Sequence, residues 1–385
     1  MKIGIVCYPS VGGSGIVATE LGKGLMAKGH EIHFFSYDLP QRLDGSEKRF
    51  IFHHVDVPLY PVFRFPPYTL ALATSLSNSA VEDNLDLIHV HYAIPHSTSA
   101  LLAKLMACYY NERSLKVITT LHGTDIDLVG KEPSYQRVVE YSINSSDAVT
   151  AVSHYLKKAT LEKFRVDREI QVLYNPIDTE IFHPPSNGRF ENREEKIVLH
   201  ISNFRPVKRV VDAVKILDLL RNRMPARLVF LGEGPDLALA EKTARQLGVL
   251  DRVDFPGKVD NVADWLRKGD LLLSTSETES FGMSIAEAMA TGIPVVSYRV
   301  GGIPEVVEDG VQGRLVPMGD LCAATEAIAE ILSHPNLQKE YGERGRARIE
   351  AQFRLDKIVN QYENLYESVL TRPPTPTKAI VGDCL

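Results

Sequence analysis

Three cations, Arg205, Lys208 and Arg209, stand within five residues of one another in the string Ser202-Asn203-Phe204-Arg205-Pro206-Val207-Lys208-Arg209. A diphosphate gains charge as it departs from the carbon it was bound to, and arginine or lysine set against it stabilises that transition state more than the ground state. The string follows one apolar run and opens a helical one. Cations at a helix start oppose its dipole unless an anion is present, so a solvated helix start explains them poorly.

A second string, Glu279-Ser280-Phe281-Gly282-Met283-Ser284-Ile285-Ala286-Glu287, brackets another helix start with two carboxylates. The amides of Phe281, Gly282 and Met283 are free donors at such an end, and the carboxylates can accept from hydroxyl groups. Glu279 can also serve as a cap or dipole partner. For Glu287, a turn or two further in, that alternative is weaker.

Near the N-terminus, Pro9-Ser10-Val11-Gly12-Gly13-Ser14-Gly15 joins a strand-like run to a helical one. Its glycines let the amides around Gly13 and Ser14 approach a phosphate or carboxylate, or simply form a tight turn. The spacing is not G-x-G-x-x-G, which argues against a dinucleotide site. His122-Gly123-Thr124-Asp125 closes the apolar run 117–121, and Asp125-Ile126-Asp127 spells a D-x-D with no acidic or histidine cluster beside it in sequence. His89, His91 and His96 are dense, but their spacing is not that of a zinc site. Tyr92 and His96 read as residues of a cleft, and no metal or cofactor is expected.

The elements that must position these groups alternate. Lys2 to Tyr8, Glu31 to Ser36, Leu87 to Val90, Val117 to Leu121 and Ala148 to Val152 read as strands, with helices at Val17 to Lys28, Ser97 to Tyr110 and Tyr135 to Asn144. That alternation predicts a parallel, doubly wound α/β sheet. A proline-rich, charged stretch from Phe182 to Lys196 reads as a linker, after which strands recur at Ile197 to Ile201, Arg227 to Leu231, Val253 to Phe255, Leu271 to Thr275 and Pro294 to Ser297. The expectation is two Rossmann-like domains, 1–185 and 195–354, facing across a cleft between their strand carboxyl ends. An amphipathic helix at 355–370 precedes Pro373-Pro374-Thr375-Pro376, which stops it, and 371–385 reads as a mobile tail.

With 385 residues, 44% hydrophobic and 24% charged, the chain has the balance of a soluble globular protein of two domains. A net charge of −6 argues against a surface built to hold nucleic acid. Cys7, Cys108, Cys322 and Cys384 are scattered, so neither a disulfide framework nor a zinc site is indicated. The N-terminal apolar run is too short for a secretory signal. A cytoplasmic protein without membrane contact is expected.

Glu279 and Glu287, followed by Ala288-Met289-Ala290-Thr291-Gly292-Ile293-Pro294 and Gly301-Gly302-Ile303-Pro304-Glu305, resemble the hallmark of the retaining family 4 glycosyltransferases of GT-B fold. The likeness covers nearly the whole chain. The strings GGSGIVATELG at Gly12, HVHYAIPHSTSA at His89, TTLHGTDIDLVG at Thr119 and SNFRPVKRV at Ser202 resemble the members that glycosylate L-malate at the start of bacillithiol synthesis. The resemblance implies transfer of N-acetylglucosamine from UDP-N-acetylglucosamine (UDP-GlcNAc) to the malate hydroxyl, metal-independent, in a homodimer, with the 355–370 helix returning to the first domain.

It also implies roles. Lys208 and Arg205 would hold the diphosphate, Glu279 a sugar hydroxyl and Glu287 the ribose, with His122 near the transferred sugar. Gly13, Ser14, Asn203, Phe281, Gly282 and Met283 complete the donor set, and Ser14, Tyr92, Thr120 and Arg205 the acceptor set. Lys208, Arg205, His122 and Glu279 are the catalytic candidates. Many members carry Gly-Arg where this chain has Ser202-Asn203. The alternatives are a lipid or polysaccharide acceptor, a nucleotide-sugar epimerase of the same fold, an oxidoreductase and a non-catalytic sugar binder.

Overall fold

The computed structural model describes residues 1–9, 12–43, 50–57, 65–128, 132–185 and 193–372. The loop residues Ser10 and Val11, residues 186–192 of the expected linker and the tail from 373 lie outside them.

The chain forms two compact units, one of residues 1–176 together with the C-terminal stretch from Leu355, the other Ile177–Arg354. The first holds a parallel sheet of β1 (Lys2–Val6), β2 (Glu31–Ser36), β3 (Phe50–His54), β4 (Leu87–His91), β5 (Lys116–Leu121), β6 (Ala148–Ala151) and β7 (Ile170–Val172). Its spatial order is β3-β2-β1-β4-β5-β6-β7. All five residues of β4 are buried, as a strand covered by helices on both faces requires. Because successive side chains point to opposite faces, Ile3, Ile5 and Phe34 enter one core with the helix Gly13–Ala27, while Val6, Phe35 and Ile88 enter another with the helices Tyr68–Glu82 and Thr98–Asn111.

The helix Leu355–Thr371 belongs to this first unit. Ile358, Val359, Tyr362, Leu365, Tyr366 and Val369 repeat at helical spacing and fill the core beside Leu21 and Leu25. A Cβ on Gly24 would fall 2.4 Å from Val359, so the glycine permits the close approach of the two helices.

The second unit holds β8 (Lys196–Ile201), β9 (Ala226–Leu231), β10 (Val253–Gly257), β11 (Leu271–Ser274), β12 (Val295–Tyr298) and β13 (Gly313–Val316), again parallel, in the order β10-β9-β8-β11-β12-β13. Residues 177–185, expected in the first domain, fold with this second unit. The Ile177 amide donates to the Phe353 carbonyl at 2.8 Å, and Arg346 Nη1 donates to the carbonyls of Phe182 at 2.5 Å and Ala290 at 2.8 Å. In each sheet the strand order reverses beside its first strand, between β1 and β4 and between β8 and β11. Ligands of such sheets bind beyond the strand carboxyl ends at that reversal. Among the described residues no helix is long and apolar enough to cross a membrane.

Candidate active site

In the second unit, β8 runs out into residues 202–209. The loop after β9 presses on them: Gly232 has φ +128°, and a Cβ there would sit 1.9 Å from the Ser202 carbonyl oxygen. Asn203 Oδ1 is buried with no hydrogen-bond partner among the described residues. An unmet buried acceptor costs about 1–3 kcal/mol, which keeps Asn203 a candidate contact for a ligand's donor.

Lys208, in a short turn from Pro206, donates from Nζ to Glu279 Oε1, and Ser276 Oγ donates to the same oxygen at 3.0 Å. The turn is tied to the end of β11: Thr275 Oγ1 donates to the Lys208 carbonyl at 2.9 Å, and the Glu277 amide donates to the Val207 carbonyl at 2.7 Å. With its hydrogen given to that carbonyl, the Thr275 hydroxyl accepts from His200 Nε2 at 3.2 Å. Burial, helped by the Lys208 charge, pushes His200 down to about 3, so it stays neutral.

The three neighbouring cations part company. Arg209 Nε donates to Asp212 Oδ2 at 2.8 Å, and the buried Tyr298 hydroxyl donates to the same oxygen at 3.0 Å. Arg209 is thereby committed to its own helix, contrary to the expectation that all three face a ligand. Arg205 is exposed and makes no ion pair among the described residues.

Glu279 precedes the helix Met283–Ala290, whose N-cap Gly282 has φ +96° and offers no side-chain cap. The amides of the first turn therefore keep their donor capacity. Gly301 explains the glycine pair further on: a Cβ there would meet the Glu279 carbonyl oxygen at 2.0 Å, and the Gly302 amide donates to that oxygen at 2.8 Å. Glu287 is 5% exposed, inside the helix. The Phe281 ring is buried against Phe353, centroids 5.5 Å apart, which leaves the backbone amide that the sequence reading singled out as the group able to serve a ligand.

In the first unit, the helix Gly13–Ala27 begins after Gly12 with no side-chain cap and no acidic residue in its first turn. Ser14 Oγ donates to the Tyr92 hydroxyl at 2.6 Å. Tyr92 holds φ +91°, a strained conformation for an aromatic residue, and its amide donates to the Thr120 carbonyl at 2.9 Å. His91 Nδ1 pairs with His122 Nε2 at 2.7 Å, and His96 Nδ1 donates to the His91 carbonyl at 2.6 Å. Burial pushes His122 down to about 3 and His96 to about 4, so both are neutral.

Thr120 is not available to an acceptor. Its hydroxyl pairs with His89 Nε2 at 2.6 Å and Thr150 Oγ1 at 2.7 Å, fully buried. Asp125 Oδ1 accepts from the amides of His122 and Gly123 at 3.2 and 2.9 Å, and Oδ2 from the Ala93 amide at 2.9 Å. Burial raises Asp125 to about 6 despite these donors. It shapes the backbone at His122, while Asp127 pairs with Lys163. Sequence reasoning missed Ser276 and Thr275, and it gave no role to Gly232. A Gly-Glu-Gly directly after an apolar run was the available signal for the last.

Each unit is thus a doubly wound sheet with an uncapped helix N-terminus and hydroxyl, amide or ammonium donors beside it, which is the construction of the GT-B class of sugar-nucleotide transferases. The family model described as Glycosyltransferase Family 4 matches residues 11–181, and that described as Glycosyl transferases group 1 matches residues 186–348. The N-acetyl-alpha-D-glucosaminyl L-malate synthase of Bacillus anthracis is 46% identical over 96% of this chain and 97% of its own. An uncharacterised glycosyltransferase of Methanocaldococcus jannaschii is 29% identical over 94% of this chain and 97% of its own. Among solved structures, Anabaena HepE in complex with UDP-glucose superposes with a TM-score of 0.80 at 20% identity, covering 96% of this chain and all of that one. The sucrose-phosphate synthase of Thermosynechococcus elongatus gives 0.77 at 20% identity over 96% and 99%. The chain belongs to the family 4 glycosyltransferases and is an enzyme that transfers a sugar.

Proposed function

We propose that the chain transfers N-acetylglucosamine from UDP-GlcNAc to the hydroxyl of L-malate with retention, releasing UDP and the α-glycoside, the first step of bacillithiol biosynthesis. The observation that carries the reading is the 46% identity, over nearly the full length, to a relative named for that reaction. The Lys208–Glu279 pair beside an uncapped helix start supports it.

In this reading the sugar C1–O bond to the β-phosphate breaks first, and Lys208 and Arg205 offset the charge gathering on the diphosphate. Asn203 and the amides of Gly282 and Met283 complete the cradle, and Glu287 accepts from the ribose hydroxyls. Glu279, fixed by Lys208, Ser276 and Gly302, accepts from a sugar hydroxyl. The malate oxygen attacks C1 on the face the phosphate leaves, and its proton passes to the departing phosphate oxygen. No metal and no nucleophilic carboxylate take part. Ser14 and Tyr92, beside the start of the Gly13–Ala27 helix, meet the malate carboxylates, and the amide of Gly13 serves the donor. Neutral His122 lies near the sugar. A homodimer in the cytoplasm completes the reading.

The test is the product. Incubation with UDP-GlcNAc and L-malate should yield a malate glycoside whose anomeric proton shows the small coupling of an α-linkage. A β-linkage would overturn retention. Free N-acetylglucosamine alone, or an epimerised donor, would overturn the acceptor assignment.

A further inference from the structure

At the far edge of the first unit's sheet, three side chains with no spacing motif in sequence converge. His33 lies on β2, His53 on the edge strand β3, and Asp83 at the end of the helix Tyr68–Glu82. His33 Nδ1 is 2.9 Å from His53 Nε2, and Asp83 Oδ2 is 3.7 Å from each nitrogen. The point equidistant from the three atoms lies about 2.0 Å from each, which is the length of a zinc bond to imidazole or carboxylate. Among the described residues this is the group of three or more His, Cys, Asp or Glu side chains able to share one ion.

The outer nitrogens are already engaged. His33 Nε2 lies 3.0 Å from Glu31 Oε1 and His53 Nδ1 lies 3.2 Å from Ser79 Oγ. A carboxylate only accepts, so His33 carries its hydrogen on Nε2 and turns the Nδ1 lone pair inward, the arrangement that orients histidine ligands in metal sites. The ring of His53 is stacked on Phe35 with centroids 4.3 Å apart. The site also lies at a helix C-terminus, where the dipole favours a cation.

We propose that His33, His53 and Asp83 bind one divalent transition metal ion of the zinc type, which fastens the edge strand β3 to β2 and to the end of the Tyr68–Glu82 helix. Without metal, His53 carries its hydrogen on Nε2, pointing at His33. On binding, that hydrogen moves to Nδ1 and is donated to Ser79 Oγ, so two neutral histidines take up the ion with no net proton release. Two histidines and one carboxylate leave a fourth position for water. The ion is structural and enters no step of sugar transfer.

The experiment uses the full chain, stripped with chelator and then freed of it. Zn²⁺ is titrated against a chromophoric chelator, and Co²⁺ by visible absorption. One ion per chain should bind, Co²⁺ should give the intense bands of a low-symmetry tetrahedral site, and Zn²⁺ should raise Tm. His53→Gln and Asp83→Asn should each weaken binding about tenfold or more and remove the Tm rise, and Glu31→Gln should weaken it about 10- to 100-fold. Asp83→Asn keeps the test open if His53→Gln fails to fold, because Asp83 is partly exposed at a helix end. No binding by the wild-type chain, or variants that bind as tightly as it does, would overturn the proposal.

Discussion

Lys208 is the residue on which the proposed chemistry most depends. Lys208→Ala should lower kcat about 10²- to 10³-fold, the usual loss on deleting one preorganised charge stabiliser, while the chain keeps its fold; steady-state kinetics with thermal unfolding on the same sample measures both. Thr120→Val should behave in the opposite way. It removes a hydroxyl bonded inside the core to His89 and Thr150, so stability should fall by about 1–3 kcal/mol with the KM for malate unchanged, and a raised KM would return Thr120 to the acceptor site. Lys208, Glu279 and Glu287 could be singled out as candidates because each stands in one short string beside a helix start. The engagements of Arg209 and Thr120 were not legible, because what occupies them, Asp212 with Tyr298 and His89 with Thr150, comes from other turns or elements. The same holds for His33, His53 and Asp83, which only the sheet register and the end of a helix bring together.

Elements were legible where burial on both faces leaves a continuous apolar run, as in β1, β4 and β5. The edge strand β3, Phe-Ile-Phe-His-His, is half-exposed and carries two histidines, and it escaped notice. So did β7, three residues long, and β13, which opens on a glycine. The helix Tyr68–Glu82 is rich in serine and threonine, which favour helices weakly, and it forms because Leu72, Ala73, Leu76 and Ala80 pack into the core. One element-scale prediction concerns the turn after β12. Gly301→Ala puts a methyl group 2.0 Å from the Glu279 carbonyl oxygen at a residue with φ +55°, so the helix start must shift. Loss of transfer should then approach that of Glu279→Ala, with donor binding by calorimetry weakened as well. Normal turnover in this variant would mean that the Gly301-Gly302 pair does not position Glu279.

At the scale of the whole molecule, buried neutral histidines set the response to acid. Burial holds His89, His122 and His200 near 3 and His96 near 4, whereas unfolded histidine titrates near 6.5. Between those values the unfolded chain takes up protons that the native chain does not, so stability is present above about pH 6.5 and lost as pH falls. Each such histidine contributes about 1.4 kcal/mol per pH unit within its window. Asp125, raised to about 6, acts with the opposite sign between 6 and its unfolded 3.8 but is outnumbered. Tm should therefore drop steeply between pH 6 and 4, and a flat profile there would mean that these histidines are not held neutral. The central claim, malate-dependent transfer without a metal, is tested most directly by UDP release from UDP-GlcNAc, with and without L-malate, in the presence of chelator. The account predicts release that requires malate and persists under chelation. Donor binding with no stimulation by malate, or activity lost to the chelator at a temperature where the chain remains folded, would contradict it.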